Sequence, residues 1–533
     1  MKYYGIDLGT NNCVISCLNK SANNIELSML KDSNGVSNIR TKITLNDNKN
    51  VEIASDSDQN LKNTFALIKG KLGSERSVLV NNQNISVQFC VAVLLNYIRK
   101  LDNCVDKAVI TIPTFYNQSK RNCTIEAAKQ AGFKEVKLIE EPTSAVMYHL
   151  FKEFKESKDL LIKSKNILVF DFGGGTLDLS LVCVKVDKNS KLDPNVIAID
   201  GLENFGGYLI DLLLAKAILT TLKENSEKED SILFKSLEVL NNHISSYKDM
   251  NNTEVFTDNE EVNRLIYNVI SEAEKVKIEL SNKKEATINI KNYLVDEIIT
   301  REEFEELILD NEMILERISR LLNNFKIKNH FNIDEVILVG GTAQIPKIFE
   351  LIKSTFPTSN VVKDNDYINS VGYGAAIVSA LNSGEKIDPF GGNVCTGVLP
   401  RDIFIICNGV TEKLFSKGTA YPLQSSYEYK IRIPFSLINK ISITLFEKND
   451  EKKYKISDVN FYHPCFYTGD IISLSVDIDE NGMLYFKAIH SETKEEIEFA
   501  SEKNNSISEK MIMAGYKHIK ENVKYMEVKY NGS

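Results

Sequence analysis

Long apolar runs are missing from this chain. No stretch approaches the roughly 18 residues that a membrane span needs, so no spanning helix is expected. A basic excess is missing too: the formal charge is −9 and no basic stripe offsets it, which argues against general nucleic-acid binding. Nine cysteines are scattered without a Cys-x-x-Cys pair or a Cys/His cluster. That excludes the spacing of a zinc site or a disulfide framework and fits a reducing cytosol. Met1–Tyr4 runs straight into a strand pattern with no leader before it, so the expected location is cytoplasmic. With 533 residues, 43% hydrophobic and 26% charged, the chain has ordinary globular usage and suits several units rather than one core.

What is present centres on Asn166–Ser180, NILVFDFGGGTLDLS. An apolar run stops at Asp171, Gly173, Gly174 and Gly175 follow, and Thr176 leads into a second run. The pattern predicts strand, glycine turn, strand, with a carboxylate at the mouth. Glycines let backbone N–H groups approach an anion, and Asp171 suits a divalent cation held through water. The N-terminus repeats the arrangement: a strand reaches Asp7, then Gly9, Thr10, Asn11 and Asn12. Two such hairpins predict a duplicated half-domain with phosphates clamped between the halves.

Between them, residues 87–101 read as an amphipathic helix, Lys107–Tyr116 as a buried strand and Asn117–Gly132 as a helix. Val136–Ile139 is a strand, and Pro142 opens a helix running to about Phe154. This order predicts an α/β sheet with crossover helices. Lys69 alone reads as a solvated surface residue. Beyond the central hairpin, Gly206 and Gly207 open a helix, a natural anion site. Glu274, Lys277 and Ser281 share one helix face at three- and four-residue spacing. Thr300–Leu322 is predicted as one long helix with a capping box. A third glycine loop, Gly340-Gly341 through Gln344 to Pro346, follows the strand Asp334–Val339, the place where ligands of α/β sheets sit. Composition then shifts. Gly384, Pro389, Gly391, Gly392 and Gly397 mark a linker, after which only strands are predicted, with Asn481-Gly482 as a hairpin turn. The boundaries expected are 1–382, a linker at 383–397, an all-β unit at 398–500, and a helix within 501–533.

Taken in order, these residues resemble the DnaK-type 70-kDa heat-shock chaperone family. Gly5–Thr10, Glu141-Pro142-Thr143, Asp171–Asp178, Val339–Pro346 and Tyr373–Ala376 are similar to its nucleotide motifs; Gly409–Leu414 and Val476–Gly482 are similar to its β domain. The resemblance implies an α/β actin-like ATPase of two ribonuclease-H-like lobes, followed by a small all-β sandwich domain and a short C-terminal helix. It implies ATP/ADP and Mg²⁺ as ligands, with K⁺ a further candidate. Asp7 and Asp171 would orient water around Mg²⁺. Thr10, Asn11, Gly173, Gly174 and Gly175 would hold phosphate, and Gly206 and Gly207 would close over it. Lys69 would position the γ-phosphate or attacking water, assisted by Glu141 and Thr176. Glu274, Lys277, Ser281, Gly340, Gly341 and Gln344 would hold the adenosine. Implied partners are unfolded or extended polypeptide, a J-domain co-chaperone and a nucleotide exchange factor, with neither nucleic acid nor membrane.

The chain departs from the family pattern. Asn11 stands where a second Thr is usual, Tyr208 where an acidic residue is, and Gln344 where an Arg usually packs on the base. GGNVCTG at 391–397 lacks the family's leucine run, which puts coupling between ATP and peptide in question. Only about 30 residues follow the β unit, too few for the helical lid. Tyr429 and Ile441 are candidates for a peptide groove as well as for the sandwich core. A nucleotide-bound, non-hydrolysing scaffold within a larger assembly is the alternative function. An actin-like sugar kinase would leave the β unit unexplained, and Asp171-Phe172-Gly173 lacks the His-Arg-Asp loop of a protein kinase.

Overall fold

A computed structural model of the chain describes residues 1–22, 24–45, 51–53, 64–66, 68–73, 77–80, 83–103, 105–156, 164–226, 230–248, 257–291, 293–363, 366–391, 397–407, 409–432, 438–448, 453–494 and 498–502. The expected C-terminal helix and the linker stretch 392–396 lie outside the described residues.

Two mixed sheets with the same strand order dominate residues 1–382. In the first, Ile25–Met29, Asn12–Lys20 and Lys2–Leu8 run antiparallel, and Lys107–Ile112 and Glu135–Glu140 follow in parallel. In the second, Leu192–Leu202, Leu177–Val186 and Lys165–Phe172 are antiparallel, with Glu335–Val339 and Asn360–Lys363 in parallel. The duplication read from the two Asp-glycine hairpins is therefore present as repeated topology. Strand Lys165–Phe172 is apolar from Ile167 to Phe170 because both its faces are covered there. Leu168, Phe170 and Phe172 pack with helix Gly207–Glu224, while Ile167 and Val169 pack with helices Glu141–Glu156 and Ser370–Asn382.

The latter two helices fill the space between the sheets. Their alanines and glycines set how close they come: a Cβ on Gly374 would run into the Ser144 carbonyl, and one on Gly5 into the backbone of Ala376. The residues after Asn382 stay against this body. Ile387 and Phe390 are buried in the same core, and Leu192 N donates to the Pro389 carbonyl at 2.9 Å.

The predicted helix Thr300–Leu322 is not continuous. Thr300 does form the capping box with Glu303, but only Arg301–Phe304 is α-helical. A wider π-type turn, Glu305–Asp310, follows; Met313 then adopts a left-handed φ of 58°, and a new helix runs Ile314–Asn329. The capping signal is local and correct, whereas the break needs tertiary packing around Ile308 and Leu309, which point into the core.

The described residues between 397 and 502 form a five-stranded, a three-stranded and a short two-stranded antiparallel sheet, the larger two sharing one core that includes Ile405, Leu445, Ile431, Leu474 and Val476. Strands Val410–Phe415, Lys453–Phe466 and Glu498–Glu502 are among them, in the stretch predicted to hold only strands. Ile441 is buried in that core at 5% exposure rather than lining a groove. The side chain of Tyr429 lies outside the described residues.

This β unit is seated on the first sheet through buried charge. Arg121 donates to Glu140 Oε1 at 2.9 Å, to the Tyr421 hydroxyl at 3.0 Å and to the Asn481 carbonyl at 2.9 Å. Tyr421 in turn donates to Glu140. Arg401 reaches the Phe115 carbonyl at 2.8 Å and Glu203 at 3.1 Å, and Glu447 accepts from the Gln118 backbone at 2.7 Å.

The helix contact at Gly374 gives a direct test. Gly374→Ala is expected to destabilise the fold by about 1–3 kcal/mol or more, since the obstacle is backbone and cannot swing aside. Thermal unfolding monitored by circular dichroism would show a lowered midpoint; an unchanged midpoint would refute the packing described.

Candidate functional site

Asp7 and Asp171 end the equivalent central strands of the two sheets, so the repeated topology brings both carboxylates to one cleft between the sheets. A cavity of about 310 Å³ is lined there by every sequence-predicted site residue except Gly206. Thr10 and Asn11 meet the glycine turn face to face. A Cβ on Gly174 would lie 3.1 Å from the Asn11 amide, and one on Gly175 would lie 2.8 Å from Thr10 Oγ1. Side chains there would fill the space a phosphate needs.

The turn is braced from behind. Gly207 N and Tyr208 N donate to the carbonyls of Gly173 and Gly174 at 2.9 and 2.8 Å, and Phe205 N donates to Gly175 at 3.1 Å. Gly206 packs under it, since a Cβ there would strike the Gly174–Gly175 peptide. Thr342 Oγ1 donates to the Gly173 carbonyl at 2.9 Å. Gly340, at φ +84°, turns the third loop tightly against Asp171. Three loops from distant parts of the chain thus share one hydrogen-bonded frame.

Lys69 is not a surface residue. It sits on the short turn Ile68–Lys71, 2% exposed, and pairs with Glu141 at the start of its helix. Burial would pull its ammonium down, but the charges of Glu141, Tyr116 and Asp7 outweigh this and hold it above the usual range. The carboxylates respond the other way. Burial, then repulsion from Glu141, pushes Asp7 up to about 6, where Thr111 Oγ1 also donates to it at 3.0 Å. Asp171 is raised well above its ordinary value by burial and by Glu141, Asp178 and Asp7. The site holds more negative charge than Lys69 offsets, which suits a cation. Asn11 Oδ1 is buried with no hydrogen-bond partner among the described residues. The residues fit a magnesium-bound phosphate chain: anionic groups at its cation, glycine turns and a lysine at its oxygens.

On helix Glu260–Asn282 the predicted face does line the cleft, but two of its charges are already engaged. Lys277 is buried and lies 2.6 Å from Asp211 Oδ1; Glu274 Oε1 accepts from Arg40 at 3.0 Å. Ser281 Oγ donates to the Lys277 carbonyl at 3.0 Å, and Gln344 Nε2 makes a long contact with the Gly340 carbonyl at 3.5 Å. Arg40 and Asp211 were missed by sequence reading, because neither has a local pattern that marks it.

Asp178 was missed as well, though a signal existed: it pairs directly with Asp171 across the hairpin. It is 1% exposed, and neither carboxylate oxygen has a hydrogen-bond partner among the described residues. Burial and then Glu141 push it up to about 7, against the smaller downward pull of Thr176 and Lys69.

A model of the family described as "Hsp70 protein" matches residues 76–232 and 234–529. The chain belongs to the Hsp70 family. It is similar to proteins named Chaperone protein DnaK. That of Thermosipho africanus is 28% identical over 445 residues, 79% of this chain and 66% of the relative, just under two thirds of its length. That of Mycoplasma mycoides subsp. mycoides is 26% identical over 552 residues, covering 99% of this chain and 84% of the relative. That of Mycoplasmopsis agalactiae is 27% identical over 547 residues, covering 95% and 80%. It is a DnaK-type member, and Hsp70 membership implies nucleotide binding with Mg²⁺. No helix among the described residues is long and apolar enough to cross a membrane.

Asp178 supplies a pH test. A carboxyl whose folded pKa is raised favours the folded state at low pH and loses that contribution as pH rises through about 7. Asp178→Asn is therefore expected to raise the unfolding midpoint at pH 8.5, with the gain shrinking as pH falls toward 4. A pH-independent difference in melting scans would refute the assignment.

Proposed function

We propose that this chain is an ATP-driven chaperone of the 70-kDa heat-shock type, hydrolysing ATP in the cleft and holding extended polypeptide on its β unit. On this reading the two sheets of equal order are the lobes of an actin-like ATPase, and residues 398–500 form a peptide-binding sandwich. The observation that carries the proposal is the buried Lys69–Glu141 pair set among Asp7, Asp171 and Asp178 and faced by two glycine loops.

Phosphoryl transfer needs positioning and charge stabilisation more than covalent chemistry. Lys69 brings a fixed positive charge to the γ-phosphate or the attacking water, and Glu141 holds its ammonium in place. Thr10, Asn11 and the turn Gly173–Gly175 bind the phosphate oxygens, with Gly207 and Thr176 at their edge. Asp7 and Asp171 would hold Mg²⁺ through water, and the ion would neutralise charge on the β- and γ-oxygens. Glu274, Lys277, Ser281, Gly340, Gly341 and Gln344 would surround the nucleoside. Extended, unfolded polypeptide is the expected client, with a J-domain partner and an exchange factor as expected regulators.

The missing leucine linker does not leave the two parts unconnected. Glu140 and Glu141 are adjacent, yet Glu140 faces Arg121 and Tyr421 at the β unit while Glu141 faces Lys69 in the cleft. A shift in the seating of the β unit would move the peptide that carries the catalytic partner, a physical route for coupling.

Single-turnover hydrolysis tests the reading. Lys69→Ala and Asp171→Asn should each lower the rate about 10²-fold or more. Tight ATP binding with no turnover above these variants would favour the non-hydrolysing scaffold instead. Unfolded peptide should accelerate turnover, and Tyr421→Phe should abolish that acceleration while leaving the basal rate intact; acceleration persisting in the variant would exclude the Glu140 route.

A further inference from the structure

Three elements that meet at the cleft meet again away from it. Strand Lys165–Phe172 carries Asp171 near one end and Lys165 at the other, about 20 Å apart at roughly 3.3 Å per residue. Strand Glu335–Val339 runs parallel beside it, with Glu335 level with Ile167. Helix Glu141–Glu156 starts at the partner of Lys69 and brings His149 and Glu153, four residues apart on one face, to the same place. One ligand atom each from His149, Glu153 and Glu335 lies within 4.8 Å of the other two. The cluster uses no cysteine, so the scattered thiols do not bear on it.

Two observations point to a cation here. His149 Nε2 is buried and makes no hydrogen bond among the described residues, although Glu335 Oε1 lies only 3.3 Å away. With the ring proton on Nδ1, the Nε2 lone pair and the carboxylate are two acceptors side by side, an arrangement that a metal ion resolves. Independently, Lys165 Nζ lies 2.8 Å from Glu153 Oε2 and 2.8 Å from Glu335 Oε2. The two carboxylates thus already hold a cationic group, on a side chain 20% exposed and long enough to swing into water. Asn360 Nδ2 reaches Glu335 Oε1 at 3.4 Å and steadies that carboxylate. In a tetrahedral shell with bonds of about 2.0–2.1 Å, neighbouring donors sit about 3.3 Å apart, the His149–Glu335 spacing. Imidazole with carboxylates suits zinc, whereas Mg²⁺ takes oxygen ligands. We infer that His149, Glu153 and Glu335 bind a divalent transition-metal ion of the zinc class, with the Lys165 ammonium as an internal competitor. The bound ion ties the helix that carries Glu141 to the strand that leads into Gly340.

The test is calorimetric titration of the whole chain with zinc chloride in excess Mg²⁺, beside thermal unfolding with and without zinc. About one equivalent should bind, and the unfolding midpoint should rise with zinc concentration. His149→Ala should weaken that binding about tenfold or more and remove the rise in midpoint. Lys165→Gln should tighten binding about tenfold, a gain that neither an ion pair of purely structural value nor an ion bound elsewhere would give. Equal zinc affinity in the parent and His149→Ala overturns the inference, since the ion would then sit at another site. No zinc binding by the parent overturns it as well. A folded Lys165→Gln that binds zinc no more tightly overturns the competitor role; should that variant unfold, the comparison at the partly exposed His149 decides alone.

Discussion

One buried ammonium holds together a crowd of buried carboxylates. Asp7, Glu141 and the hairpin carrying Asp171 and Asp178 converge on Lys69 from three separate segments, and Glu141 raises the electrostatic cost of all three aspartates. Without the lysine, the crowd would be a set of unpaired charges in a dry site, a state that proteins leave by taking up protons. The fold keeps it because each segment is pinned elsewhere: Asp7 by its strand and Thr111, Glu141 by a helix buried between two sheets, Asp171 and Asp178 by one hairpin. A cation brought among them would favour their charged forms.

The sequence was most legible where a motif and a backbone requirement coincide. Asp7 and Asp171 were found because each closes an apolar strand before glycine, and the duplicated strand order follows from that repetition. Lys69 was legible only through resemblance, since its neighbours say nothing about burial. Arg40 and Asp211 stayed hidden because their meaning lies in partners over 60 residues away, Glu274 and Lys277. The break after Phe304 was hidden for a related reason: the capping box at Thr300 is a local rule, whereas the π-type turn satisfies packing that a one-dimensional pattern does not contain.

The β unit meets the body beside it through buried side chains as well as through the chain that joins them. Residues 383–391 lie against the body they leave, with Ile387 and Phe390 in its core, so that stretch is an anchored strap. Contact between the parts then falls to side chains: Arg121, Tyr421 and Glu140 at one point, Arg401, Glu203 and Glu447 at another. Because Glu140 contacts the β unit and Glu141 lines the cleft, a single peptide unit joins the interface to the cleft.

The cluster at Arg121 also limits how this chain can change over generations. Removing one member of a buried, hydrogen-bonded charge group strands the others and costs about 3–5 kcal/mol, whereas exchanging the whole group for apolar residues is often neutral. Positions 121, 140 and 421 are therefore bound into one heritable unit, and drift at any of them passes through a fitness valley unless the others move with it. Descendants of this sequence should keep the three residues together or lose them together, although two of them stand 281 residues apart.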